Sequence, residues 1–434
     1  MYKPGRKLAF ALIVALLQTT GFAQKTIVTK SEVDRILKNL SADDKMGRSA
    51  TDPATLEKSV VFIESEFKRI GLSPLDGLTS FRQSFTKEMI GVTGVEVIAN
   101  AKSVEPKNIL VYSSNEAGEW SRPGNVHRIR KADNLFQTFR KLSRDTTDAF
   151  VLVDTAHTAH FRALQEWLSK KRILNAGSKS GSKLFVLSND TVVSTLNAKF
   201  SQEKENIVMT NVVGQIKAAQ PTKESVIFSA HYDHIGILPP VDGDSIANGA
   251  DDDASGTTAV IMLADHFKRE KKLTRNLIFV AFTAEEIGGF GSQYFSTNVN
   301  PNDVVAMFNI EMIGKPSKWG ANAAFISGFE RSDFGAILQQ NLKGSPVNFH
   351  PDPYPDQNLF YRSDNATLAR LGVPAHTIST DQIDIDKLYH TVNDEFETIN
   401  TQNMTEIIRA IAMSASSIVK GTARPTRIDT SKVD

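Results

Sequence analysis

Apolar residues along this chain recur in different periods, and the changes between them divide it. Between residues 28 and 71 they fall at spacings of three and four. Two helices are predicted there, Glu32 to Leu40 and Ala54 to Ile70, the second with Val60, Val61, Ile63, Phe67 and Ile70 on its apolar side and Gly71 as its stop. From about Ile90 to Asn206, short strand-like runs (Val95 to Ile98, Asn108 to Tyr112, Phe150 to Val153, Lys183 to Leu187) alternate with polar loops, one helical run, His160 to Lys171, and a turn-rich linker, Gly177 to Lys183. A small α/β insertion is expected. After Asn206 the pattern becomes regular: Val212 to Ile216, Ser225 to Ala230, Asn276 to Phe282, Val304 to Glu311 and Ala375 to Ser379 are apolar without strict alternation, as in strands buried on both faces. Ser255 to Glu270 and Thr405 to Val419 carry helical periodicity. The expected fold class is α/β, a three-layer α/β/α sandwich with a mixed, mostly parallel central sheet.

The amino end departs from this pattern. Lys3, Arg6 and Lys7 precede an apolar run from Leu8 to Leu17 and then Gly21-Phe22-Ala23. This reads as a secretory signal cleaved after Ala23, because the apolar run is about half the roughly 20 residues that span a bilayer. The expected protein is exported, periplasmic or secreted, with no stable membrane association after cleavage. The expected division is residues 1–23 as signal, 24–89 as helices packing on the main domain, 90–206 as insertion, 207–422 as the main domain and 423–434 as a tail. Net charge over the full chain is +1, with no long run of one sign, which speaks against nucleic-acid binding. The absence of cysteine excludes disulfides and thiolate chemistry, so any metal site must use histidine and carboxylate.

Such residues gather at predicted strand ends, where catalytic groups of α/β sheets collect. His231 follows V-I-F-S-A, and Asp233 stands two residues on, able to support its far nitrogen. Asp251, Asp252 and Asp253 precede A-S-G and an apolar helix; capping explains one of them, but three adjacent acids between apolar segments need a cation. Glu285 and Glu286 end another strand, and because consecutive extended residues diverge, one suits ligation and the other general-base work. Glu311 closes F-N-I-E-M-I-G, and His390 lies in Y-H-T-V-N-D. Together they are the inventory of a nitrogen and oxygen site for zinc or a similar divalent ion. His127, His157, His160, His266 and His376 lack that context and read as structural or surface residues.

The order H-Y-D, G-A-D-D-D-A-S-G, A-F-T-A-E-E-I-G-G-F-G-S, N-I-E-M-I-G, F-Y-R-S-D, G-V-P-A and H-T-V-N-D resembles metallopeptidase family 28, the cocatalytic zinc exopeptidases, over roughly residues 207 to 420. A weaker echo lies in S-A-D-D-K-M-G-R. The resemblance implies two zinc ions per chain bridged by Asp252, one also held by Glu286 and His390 and the other by His231 and Glu311. It further implies Glu285 as the base activating a bridging water, Asp233 behind His231, and a tyrosine near the S-D motif, Tyr361, stabilising the tetrahedral intermediate. Glu311 departs from the aspartate more common at its position, Asn365 stands where S-D-H is common, and His234 is extra to the motif and read as support behind the ligands. The implied activity is an aminopeptidase acting on peptides; a one-zinc glutaminyl cyclase and a carboxypeptidase of the same family are the alternatives.

Overall fold

The structure is a computed structural model that describes residues 28–169, 171–174, 180–271 and 273–433. The expected signal and part of the Gly177–Lys183 linker lie outside the described residues. In chain order the strands used below are β1 (Arg82–Ala99), β2 (Ile109–Tyr112), β3 (Val126–Ile129), β4 (Ala149–Val153), β5 (Lys183–Leu187) and β6 (Leu196–Ile216). They are followed by β7 (Ser225–His231), β8 (Asn276–Phe282), β9 (Val304–Ile310), β10 (Ala323–Ile326), β11 (Asn348–Pro351) and β12 (Ala375–Ser379). The helices are α1 (Lys30–Leu40), α2 (Pro53–Ile70), α3 (Leu135–Ser143), α4 (Thr158–Ser169), α5 (Gly256–Lys268), α6 (Phe290–Thr297), α7 (Phe334–Asn341), α8 (Asn365–Ala369) and α9 (Thr401–Ser414).

The central sheet runs in the order β11-β10-β12-β9-β7-β8-β6-β1. Its middle strands β8, β7, β9 and β12 are mutually parallel, whereas β6 is antiparallel to β8 and β1. The sheet is therefore mixed, with a parallel centre. Alternation sorts its side chains onto two faces. Val226, Phe228, Ala230, Phe279 and Phe308 join the core shared with α1, α2, α5, α7 and α9, whereas Ile227, Ile278, Val280 and Met307 join the core under α6 and α8. Phe228 stacks at 5.2, 5.5 and 4.9 Å on Phe267, Phe279 and Phe308, fixing α5 beneath the three central strands. The two amino-terminal helices pack on the same face. Each begins with a side-chain cap, Thr29 accepting the Glu32 N–H and Asp52 the Thr55 N–H, and Gly71 ends the second at φ 82°.

Strand register positions the site. β7 and β8 align residue for residue from Ser225 with Asn276 to His231 with Phe282, and Ser229 lies level with Asn309 of β9. His231, the Glu285-Glu286 pair and Glu311 consequently leave the sheet along one edge.

The outer part differs from expectation in one respect. β1 and β6 pair from Arg82 with Val212 to Ala99 with Leu196, with one register shift at Ser201/Gln202, well beyond the expected Val95–Ile98 and Val212–Ile216. Leu196, Ala198, Phe200 and Gln202 are buried while Asn197, Lys199, Ser201 and Glu203 are exposed, a one-faced strand followed by a charged stretch, Glu203 to Glu205, that reads as loop. This arm passes through positions 90 and 206 and carries a second sheet, β2-β5-β4-β3, with α3 and α4 covering one face and arm residues Val97, Ala198 and Phe200 the other. β10 and β11, of four residues each, are too short for periodicity to announce.

Candidate metal centre

His231 ends β7 and is buried. Its Nδ1 contacts the Asp233 carbonyl at 3.1 Å, while the Asp233 carboxylate is 3.8 Å away. The expected support behind His231 thus comes chiefly from the Asp233 main chain. The carboxylate is engaged elsewhere: it accepts the N–H of Glu285 at 3.1 Å and of Glu286 at 3.4 Å, pinning the turn after β8 to the strand end that carries His231.

The three aspartates divide by partner. Asp253 accepts the N–H groups of Gly256 at 2.9 Å, Met312 at 3.1 Å and His231 at 3.3 Å, so it holds the start of α5 to the ends of β7 and β9. Gly256 has no room for a side chain there, since a Cβ would lie 2.2 Å from the Ile310 carbonyl oxygen. Asp251 accepts the Gly314 N–H at 2.8 Å and faces the Lys315 ammonium at 3.3 Å. Asp252 alone turns to the histidines, with Oδ1 3.3 Å from His231 Nε2 and Oδ2 3.2 Å from His390 Nε2.

Two groups of ligand-type atoms result, sharing Asp252. His231, Asp252 and Glu311 form one; His234, Asp252 and Glu286 form the other, each with its atoms within 4.8 Å of one another. His390 joins the second through contacts of 3.0 Å to Glu286 and 3.2 Å to Asp252. Glu286 Oε1 accepts from His234 Nδ1 at 2.7 Å, and Asp252 Oδ2 lies 3.8 Å from the same nitrogen. Glu285 belongs to neither group but interacts electrostatically with members of both, His231 and Glu311 on one side and Glu286 on the other.

The electrostatics are those of a carboxylate site short of positive charge. Burial pushes Glu285 well above the usual carboxylate range, and the charges of Glu311, Asp364 and Glu286 push the same way. Burial likewise raises Glu311 and Asp233 to about 7 and Asp364 to about 6. His390 is held up at about 10, because contacts with Asp252 and Glu286 outweigh its burial. His231 is raised well above its ordinary value for the same reason, with Asp252, Glu285 and Asp253 around it. Glu311 Oε2, His231 Nε2 and His234 Nε2 are buried without a hydrogen-bond partner. Orphaned nitrogen and oxygen atoms converging on a shared carboxylate fit a divalent ion, which would satisfy them together.

Arg48, the last residue of the S-A-D-D-K-M-G-R echo, is a structural keystone of this site. Its guanidinium is fully buried and donates to the carbonyls of Tyr232 at 2.7 Å, Leu40 at 2.8 Å, Gly249 at 2.9 Å, Asp252 at 3.4 Å and Asn248. It therefore ties α1 to both loops that bear His231 and Asp252. The echo S-A-D-D-K-M-G-R was its signal in the sequence. In Arg48→Met these carbonyls lose their donor, and we expect a destabilisation of about 3 kcal/mol with divalent-metal affinity weakened about tenfold or more, part of both returning in Arg48→Lys. Urea unfolding and metal titration check this; unchanged affinity would refute the positioning role.

Tyr361 stands away from the cavity beside Glu311. It packs edge-on against Phe360 at 5.1 Å, with the guanidinium of Arg331 5.2 Å and that of Arg370 5.8 Å from its ring centre. Tyr389 lines that cavity instead, stacked on His390 at 3.9 Å between ring centres. Burial, together with Asp252, Glu286 and Glu311, raises its hydroxyl pKa, so it remains an O–H donor. Its place immediately before His390 in Y-H-T-V-N-D was the available signal.

A parallel-centred mixed sheet that delivers two histidine and carboxylate groups to one edge, joined by a common aspartate, defines an α/β protein with a candidate paired metal centre. Residues 211–415 of the chain match the model of peptidase family M28. Its fold is similar to an aminopeptidase from Aneurinibacillus sp. strain AM-1, with a TM-score of 0.58 at 18% identity over 94% of this chain and 97% of that one. A zinc aminopeptidase from Bacillus subtilis gives a TM-score of 0.57 at 14% identity, over 91% and 96%. Among curated relatives, a "probable zinc metalloprotease" of Pyrenophora teres f. teres (strain 0-1) is 29% identical over 42% of this chain and 38% of its own length. "Leucine aminopeptidase 1" of Penicillium rubens is 29% identical over 43% and 50%. The chain thus spans half or less of the length of these curated relatives.

Proposed function

We propose that this protein is an exported zinc-dependent aminopeptidase that removes amino-terminal residues from peptides. The observation that carries the reading is Asp252 shared between two ligand groups, with Glu285 in electrostatic contact with members of both. His231 and Glu311 would hold one ion, Glu286 and His390 the other, and Asp252 both. Zinc, when bound there, supplies Lewis-acid polarisation of the scissile carbonyl and acidifies water at neutral pH.

The chain's own groups do the rest. Glu285 accepts the proton of the attacking water and delivers it to the leaving amine nitrogen, a shuttle for which a raised carboxyl pKa is suited. Asp233 holds Glu285 and Glu286 in place through their main-chain N–H groups. Tyr389 takes the oxyanion-stabilising role expected of Tyr361, donating its hydroxyl toward the charge that develops on the substrate oxygen. Residues 90–206 are proposed as an appended lobe that shapes access to the site. Among the described residues no helix is long and apolar enough to cross a membrane.

Elemental analysis combined with a panel of amino-acid anilides and end-blocked dipeptides tests the reading. Two zinc ions per chain are expected, with cleavage lost on chelation and on blocking the substrate's amino end. Cleavage that instead requires a free carboxyl end would overturn the assignment.

A further inference from the structure

The cavity beside Glu311 has apolar walls formed by Met312, Phe325 and Ile383, and Ser379 and Asp381 also line it. Asp381 is 4% exposed, and its Oδ1 has no hydrogen-bond partner. Oxygen atoms of Asp381, Asp251 and Asp386 lie within 4.8 Å of one another. Lys315 supplies the ammonium of this neighbourhood, its Nζ 2.6 Å from Asp386, 3.3 Å from Asp251 and 4.0 Å from Asp394, while the buried Arg48 guanidinium adds a positive charge that acts on Asp394. Four carboxylates therefore share a single ammonium, and Lys315 makes no ion pair with Asp381 among the described residues. Like charges in a poorly solvated place call for a further cation.

Resting on the aminopeptidase reading, we infer that this cavity receives the side chain of the substrate's terminal residue and selects a cationic one, lysine or arginine. Either side chain lays an apolar stem along Met312, Phe325 and Ile383 and brings its charged head to Asp381. A leucine side chain fits the same walls but leaves the buried Oδ1 of Asp381 without a partner, the kind of mismatch by which sites discriminate most strongly. An acidic side chain meets Asp381 and Glu311. Arg362 also lines the cavity but is exposed, with Gln357 as its hydrogen-bond partner at 3.4 Å, so its charge is largely spent on solvent.

The test compares lysyl, arginyl, leucyl and glutamyl 4-nitroanilides on the zinc-loaded protein and on Asp381→Asn. We expect kcat/KM for the lysyl and arginyl substrates to exceed that for leucyl by at least tenfold, and the lysyl-to-leucyl ratio to fall at least tenfold in the variant. Preference for the leucyl or glutamyl substrate, or a ratio unmoved by Asp381→Asn, would overturn the inference. So would a third zinc per chain held by Asp251, Asp381 and Asp386. If the variant does not fold, the preference of the unmodified protein decides alone. Zinc-loaded protein that cleaves none of the four would bring down the aminopeptidase reading and this inference with it, an outcome distinct from cleavage with the wrong preference.

Discussion

Glu285→Gln in the zinc-loaded protein is expected to lower kcat by about a thousandfold while both metals stay bound. General-base contributions run from about a hundredfold to ten-thousandfold, and a thousandfold corresponds to about 4 kcal/mol of transition-state stabilisation. The amide keeps the shape and the main-chain bond to Asp233, so it removes only the ability to take and return a proton. Retention of metal is expected because Glu285 belongs to neither ligand group. The measurement is kcat on the best anilide together with zinc per chain. A loss smaller than tenfold would remove Glu285 from the proton shuttle, and loss of zinc would make it a ligand.

Asp252→Asn is expected to cost both metals, because Asp252 is the member common to both groups. The same geometry makes metal binding strongly dependent on pH. Without metal, His390 carries a proton up to about pH 10 and His231 is raised likewise, so binding must displace protons and affinity rises with pH. Stability depends on pH differently in the two forms. A histidine raised on folding from 6.5 to about 10 contributes stability that is complete below pH 6.5 and lost as pH rises through 10. Glu311 and Asp233, raised to about 7, pull the same way, because the metal-free fold holds their protons more tightly than the unfolded chain does. Asp252 and Glu286, lowered by their histidine contacts against burial, act below pH 4.5, outside this window. The metal-free protein should therefore lose Tm between pH 6.5 and 9.5, and the interval between it and the zinc-loaded protein should widen. Thermal scans with chelator or zinc at the two pH values measure this; a metal-free Tm that rises over the range would contradict the protonation pattern.

What the sequence determined by itself is the centre of the molecule. Strands β7, β8, β9 and β12 are buried on both faces, so they appear as largely apolar runs without strict alternation, and the residues that end or follow three of them, His231, Glu285, Glu286 and Glu311, can be located without the fold. The inventory of histidine and carboxylate was equally legible, because burying so many acids at strand ends makes little sense without a cation. The separation of Asp252 from its neighbours rested on family resemblance, and hydrogen bonds now give its physical basis: Asp251 and Asp253 are engaged by main-chain N–H groups, leaving Asp252 to the histidines.

Tertiary structure decided the rest. Arg48 acts on carbonyl oxygens up to 204 positions away, and a carbonyl acceptor is present at every residue, so nothing in the composition of either segment marks the pair. Tyr389 rather than Tyr361 lines the cavity, a matter of which turn faces inward, since both tyrosines stand near motif residues in the sequence. Lys315 gathers Asp251, Asp386 and Asp394 from three loops, and the resulting excess of negative charge beside Asp381 exists only because those loops converge. Local patterning reports what a segment buries. What it meets there is set by the packing of segments distant in sequence.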